Sequence, residues 1–253
     1  VTVRIGVTGA TGRMGGEVLA AAAEREDLEV VLAVSRSADE EVEGVAVESA
    51  ADLPALLAER EPDVLVDFTG PESCVEYASA CAEAGVALVT GTTGLSDEQF
   101  DALETLADDV PVLYASNFSR GIAALRRAVR EAIPALDGYD IELTETHHNA
   151  KRDAPSGTAL TLLEDIDDVR GDAERVHGRE GEAPRTEGEI GVHARRAGDI
   201  AGEHEVLLAG NHESLSLTHR AGSRGVFAAG ALDAAAWLSG RDAGWYDFTE
   251  VLE

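Results

Sequence analysis

The stretch VRIGVTGATGRMGGEV, residues 3–18, decides the reading of the fold. An apolar run enters a turn with glycines at positions 9, 12 and 15, and a segment rich in Ala, Leu and Glu follows at once. Those glycines permit a tight turn and let backbone N–H groups approach a phosphate. The helix behind them aims its positive end at the same place. A glycine pattern alone is a weak signal, but its position between a strand and a helix strengthens it.

Outward from this stretch the same rhythm continues. LEVVLAVS, PDVLVDFT, VALVTGTTG and VPVLYASN read as strands, each separated from the next by a helical segment. Short apolar runs alternating with helices belong to a parallel sheet covered on both faces. After Asn117 the rhythm changes. A long helical pattern, RGIAALRRAVREAIPAL, leads to the alternating strand YDIELTETHH and a helix starting near Pro155. The segment DVRGDAERVHGREGEAPRTEGE is polar with no period and reads as a mobile loop. IGVHARR, GEHEVLLAG and ESLSLTHRA read as a mainly antiparallel sheet, and GVFAAGALDAAAWLSG as a helix returning to the first domain before a short tail. The expected fold class is α/β: a Rossmann-type, doubly wound parallel sheet from residues 1–118 and 228–253, plus a smaller α+β domain at 119–227.

Composition narrows the function. The 253 residues carry 20 cations against 49 anions, a formal charge of -29, with a normal 44% of hydrophobic residues. So negative a surface repels phosphate backbones, which argues against nucleic acid and anionic membranes as partners. Molar salt screens such repulsion within roughly 3 Å. Together with a single lysine among the cations, this points to a protein adapted to very high salt. Its melting temperature is expected to rise between low and molar KCl, and an unchanged melt contradicts the idea. Cys74 and Cys81 stand two helical turns apart, roughly 10 Å of rise, too far for a disulfide within one helix. No signal-like segment precedes the first strand and no apolar run approaches a membrane span. A soluble, cytoplasmic protein with reduced cysteines is expected.

The first domain offers a dinucleotide site. Gly9, Ala10, Thr11, Gly12, Arg13 and Met14 form the turn. The second strand ends in Ser35, Arg36 and Ser37, where sites for NAD usually place an acid for the ribose hydroxyl. Donors and a cation there suit a 2′-phosphate, so NADPH is expected in preference to NADH, with Arg36 as the determinant. Other strand ends point to the same crevice: Phe68 and Thr69, Gly91, Thr92 and Thr93, and Ser116, Asn117 and Phe118.

The second domain carries the chemistry. His147 and His148 close a strand, and Lys151, the only lysine of the chain, follows within a short turn. Pro155 and Ser156 open a helix, Ser156 as its N-cap, so the N–H groups of Gly157 and Thr158 face an anion, most simply a carboxylate. Lys151 adds a positive charge beside it. The combination suits a small dicarboxylate. A two-histidine metal site lacks a third ligand of evident spacing, so no metal is expected.

The stretch ETHHNAKRDAPSGTA, residues 145–159, also resembles the E-x-H-H-x-x-K-x-D-x-P-S-G-T-A signature of dihydrodipicolinate reductases. The likeness runs in order through GATGRMG, DFTGPE, GTTG, NFS, RAGDIAGEH and AAWLSG, nearly the whole chain. It implies reduction of dihydrodipicolinate, or its hydrated 4-hydroxy form, with NAD(P)H on the diaminopimelate route to lysine. It further implies His147 as catalytic acid and Lys151 as its substrate-binding partner. Substrate contacts would come from His148, Ser156, Gly157 and Thr158, and a homotetramer would be built through the smaller domain. The chain departs from the family at Ser35, where many members have an acid, and at Gly70, where some have arginine. Two other readings share the crevice: a reductase of another carboxylated imine or aldehyde, and a nucleotide sensor with no use for Lys151.

Overall fold

Val64–Asp67 and Ala87–Thr90 are buried at every position, which only a sheet covered on both faces allows. The computed structural model describes residues 2–38 and 41–252. In chain order, β1 (Val3–Thr8), α1 (Arg13–Ala23) and β2 (Leu28–Ser35) are followed by a small hairpin, β3 (Glu41–Val42) and β4 (Val45–Ala46). Then come β5 (Glu48–Ser49), α2 (Leu53–Arg60), β6 (Val64–Asp67), α3 (Pro71–Ala84), β7 (Ala87–Thr90), α4 (Asp97–Leu106) and β8 (Pro111–Tyr114). The second stretch holds α5 (Arg120–Ala135), β9 (Asp140–His147), α6 (Gly157–Arg170) and β10 (Arg175–His177). It continues with β11 (Ile190–Arg196), β12 (Gly202–Ala209) and β13 (Ser214–Ala221), before α7 (Gly225–Leu238) and β14 (Gly244–Asp247).

Two compact units result, Arg120–Ser223 and the remainder of the chain on either side of it. The return to the first unit falls at Arg224 rather than at 228, because α7 already starts at Gly225. In the first unit the strand order is β14-β8-β7-β6-β1-β2-β5, with every pairing parallel. The chain moves one way from β1 to β2 and the other way from β6 onward. The switch point therefore lies at the carboxyl ends of β1 and β6, where such sheets bind ligands. Ala228, Ala231, Leu232, Ala235 and Leu238 of α7 are fully buried in the core beneath α1 and the central strands. Cys74 and Cys81 both lie buried and free on α3. The expected tail adds a strand, β14, to the sheet edge beside β8.

The second unit has the order β10-β11-β9-β12-β13. The expected antiparallel sheet is in fact mixed: β10, β11 and β9 run parallel, while β12 and β13 are antiparallel. The reason is α6, a crossover that returns the chain to run parallel to β9. The segment read as a loop contains β10, held by charge rather than by any hydrophobic period. Arg175 pairs with Asp167 at 2.5 Å, Arg179 with Glu189, and Arg185 with Glu142. Among the described residues no helix is long and apolar enough to cross a membrane.

Candidate active site

At the end of β1 the chain turns at Gly9, with φ +63°, and Gly12 donates its N–H back to the Gly9 carbonyl at 2.8 Å. A Cβ on Gly15 would stand 2.2 Å from that same carbonyl oxygen, so only glycine lets α1 start so close to the turn. Thr11 Oγ1 and Ser35 Oγ share a hydrogen bond of 2.7 Å, which ties the turn to the end of β2. Gly12, at the N-cap of α1, has no side chain to satisfy the first-turn N–H groups. Beside it opens a cleft of about 620 Å³, lined by Gly9, Thr11, Gly12, Arg36, Phe68 and Thr69 among others. An exposed, uncapped helix start at a switch point fits a dinucleotide pyrophosphate.

Behind Phe68 and Thr69 lies Asp67, fully buried. Its oxygens accept hydrogen bonds from the hydroxyls of Thr8 (2.6 Å), Thr69 (2.6 Å), Thr90 (3.0 Å) and Thr92 (2.7 Å). One carboxylate thus gathers the ends of β1, β6 and β7.

In the second unit the side chains can be followed row by row along the face covered by α5 and α6. Ile190, Ile141 and Leu208 form one row across β11, β9 and β12, and Val192, Leu143 and Val206 the next. Continuing by two residues, the third row is Ala194, Glu145 and His204. The fourth holds Arg196 and His147, and Gly202 lies beside His147 on β12. The apolar core therefore becomes polar toward the end of β9 without leaving the covered face. A Cβ on Gly202 would come within 3.1 Å of His147 Nε2, so glycine there makes room for the ring.

Glu145 is fully buried and bonded on both oxygens. Oε2 accepts from Arg196 Nη1 at 2.8 Å and lies 2.7 Å from His147 Nδ1. Oε1 accepts from Arg196 Nη2 at 2.7 Å and from the Ser156 N–H at 3.1 Å. Burial would raise the Glu145 carboxyl, but Arg196 and His147 hold it below its ordinary value. For His147 burial wins: it pushes the imidazole down, Lys151 and Arg196 assist, and Glu145 opposes them. His204, pushed down to about 3 chiefly by burial, stays neutral and packs edge-on against His147 with ring centroids 5.2 Å apart. Ser156 Oγ caps α6 through the Ala159 N–H and meets His204 Nε2 at 3.0 Å. Lys151 is about four-fifths buried, with Nζ 2.9 Å from Asp153 Oδ2.

Comparison with known proteins gives these features a context. Sequence models of the dihydrodipicolinate reductase N-terminus and C-terminus match residues 3–118 and 121–252. The chain belongs to the dihydrodipicolinate reductase family. It is 53% identical over 250 residues to the 4-hydroxy-tetrahydrodipicolinate reductase of Haloarcula marismortui, covering 99% of both chains. To the enzyme of the same name from Natronomonas pharaonis it is 55% identical over 247 residues, covering 97% of this chain and 98% of that one. Both relatives come from halophiles, in keeping with the acidic surface. Among solved structures, the dipicolinate-bound dihydrodipicolinate reductase from Paenisporosarcina sp. TG-14 matches with a TM-score of 0.79 at 25% identity, covering 98% of each chain.

The residues expected from the family signature do not all stand alike. His147 and Ser156 are buried in one hydrogen-bonded cluster, and His148, Lys151 and Thr158 are partly buried near it in the chain. Gly157 opens α6 at an exposed position. In the first unit, Ala10 is buried and its N–H donates to the Val34 carbonyl. Arg13 is exposed and Met14 half-buried, and neither lines the cleft. Gly91, Thr92, Thr93, Ser116 and Asn117 also lie outside its lining, and Phe118 is a core residue stacked edge-on between Phe68 and Phe248. Ser35, Arg36 and Ser37 all line the cleft, Ser35 with its hydroxyl hydrogen-bonded to that of Thr11 and Arg36 exposed. The sequence alone singles out neither Glu145 nor Asp67, leaves Arg196 open between a carboxylate or cofactor contact and a charge that neutralises acidic neighbours, and reads His204 as a surface or sheet residue. Glu145 was detectable as a charge two residues before His147, on the same face of an otherwise apolar row.

Proposed function

We propose that the chain reduces dihydrodipicolinate, in its 4-hydroxy or dehydrated form, to tetrahydrodipicolinate with NADPH, on the diaminopimelate route to lysine. The observation that carries this reading is the buried His147–Glu145 pair, two strand rows beyond the apolar core, with Lys151 in the following turn. The Gly9–Gly12 amides and the start of α1 would hold the pyrophosphate. The bound dinucleotide would supply the hydride. His147 supplies the proton that balances it, from Nε2, the nitrogen not engaged by Glu145. Lys151 holds a substrate carboxylate once Asp153 yields it, and the first turn of α6 adds the N–H donors of Gly157 and Thr158, set in place by Ser156, whose own N–H is donated to Glu145. His148 contributes a further substrate contact. The Asp153 carboxyl is raised by burial, but its bond with Lys151 holds it below its ordinary value, so it stays an anion that the substrate replaces.

Arg36 supports the choice of NADPH, since no acid stands at the end of β2 and this exposed guanidinium lines the cleft. Arg36→Ala is expected to lower kcat/KM for NADPH by about 10–100-fold, the worth of one charge-assisted hydrogen bond, and to leave NADH almost unchanged. Equal losses with both cofactors, or a parent that prefers NADH, would refute it. The family likeness also supports a homotetramer. The sheet face of the second unit that points away from α5 and α6, with half-buried Glu205 and Leu207, is the surface it would use. Two free, buried cysteines fit the reducing cytoplasm.

The reading as a whole is tested by supplying the substrate in situ from pyruvate and aspartate semialdehyde with the preceding synthase, and following NADPH oxidation. Oxidation that depends on the synthase supports it; a folded, NADPH-binding chain with none refutes it.

A further inference from the structure

The carboxylate of Glu145 has no vacancy. Two hydrogen bonds from Arg196, one from the Ser156 N–H and the contact with His147 Nδ1 occupy both oxygens at 2.7–3.1 Å. Burial would raise this carboxyl, but the paired guanidinium of Arg196 and the contact with His147 hold it below its ordinary value, so it remains an anion and accepts only. The hydrogen in the 2.7 Å contact must then sit on His147 Nδ1. Arg196 is tied down in turn: its two terminal nitrogens also donate to the carbonyls of Arg195 and Asp153, each at 2.6 Å. It thus joins the anion behind the histidine to the turn that carries Lys151.

We propose that Glu145 and Arg196 are a positioning pair for His147: the carboxylate fixes the Nδ1–H tautomer and so makes Nε2 the nitrogen that exchanges protons, while the guanidinium offsets the carboxylate's pull on the ring. Loss of the Nε2 proton leaves a neutral ring whose remaining hydrogen is still donated to Glu145. The charged and titratable groups around the ring are Glu145 from β9, Lys151 and Asp153 from the turn after it, Arg196 from β11 and His204 from β12. Of these, Glu145 and Arg196 act with opposite sign on the ring. Removing them singly therefore moves its titration in opposite directions. A role limited to holding the fold together has no such signature.

The proposal rests on the reductase reading only for its effect on turnover, so the test uses a signal that needs none. Imidazole nitrogen and proton NMR of the folded chain in molar KCl, with His147 assigned through His147→Gln, reads tautomer and titration directly. The neutral ring of the parent is expected to carry its proton on Nδ1, which is the minor form of free histidine. Glu145→Gln is expected to populate the Nε2–H form and to shift the titration to lower pH. Arg196→Met is expected to shift it to higher pH, with Arg196→Lys between that variant and the parent. A parent ring protonated on Nε2 overturns the proposal without any variant. So do shifts of the same sign, or no shift, in folded Glu145→Gln and Arg196→Met. In turnover, Glu145→Gln is expected to lose more than about 100-fold in kcat with little change in substrate KM, as loss of an orienting carboxylate does in other histidine systems.

Discussion

His147→Gln is expected to lower kcat by about 10²–10⁴-fold, the usual contribution of a positioned acid, with NADPH binding unchanged. Glutamine keeps the volume and one hydrogen-bonding group facing Glu145, but it has no proton to give. The pH profile should locate the same residue. Burial holds the ring of the free protein below the ordinary histidine value, with Lys151 and Arg196 adding to the effect against Glu145. The limb of kcat/KM that falls with rising pH is therefore expected at lower pH than for a free histidine. A bound dicarboxylate favours the imidazolium, so the limb of kcat is expected at higher pH than that of kcat/KM. The sign for stability follows from the same shift. The unfolded ring takes up its proton at higher pH than the folded one, so stability is lost as pH falls through the unfolded value. His204, down at about 3, acts in the same direction over a wider range. Near-parental kcat in His147→Gln would end the acid role.

Lys151→Ala is expected to cost about 10²–10³-fold in kcat/KM, comparable with removal of one preorganised donor from a partly desolvated site. Lys151→Arg should recover little of that loss. Every other cation of the chain except the histidines is arginine, so the surface tolerates guanidinium everywhere else. Here the ammonium sits about four-fifths buried against Asp153, in a turn whose Lys151 N–H bonds to the His148 carbonyl. A compact head on a flexible stem can exchange Asp153 for a substrate carboxylate, whereas a planar fork needs a wider pocket. Full activity in Lys151→Arg would show that charge alone is required. Full activity in Lys151→Ala would remove the lysine from the reaction.

Much of this was legible in the chain itself. The strand–glycine turn–helix order at residues 3–18 gave the first sheet, because a buried parallel strand and a glycine turn each leave a local mark. The Ser156 cap and the placement of His147 at a strand end were readable for the same reason. What escaped depends on register. Nothing local says that Arg196 lies opposite His147, or His204 opposite Glu145; both follow from how β11 and β12 pair with β9. β10 escaped because arginine–carboxylate pairs, rather than an apolar period, hold it at the edge. Asp67 reads as one acid in a strand until its four threonine partners, drawn from three strand ends, are brought together.

The most direct test is NADPH oxidation in molar KCl with the substrate generated by the preceding synthase, the parent chain beside Lys151→Ala. The expected result is rapid, synthase-dependent oxidation by the parent that is largely lost in the variant. A parent that folds and binds NADPH yet oxidises none when the synthase runs would contradict the assignment of this site to dihydrodipicolinate.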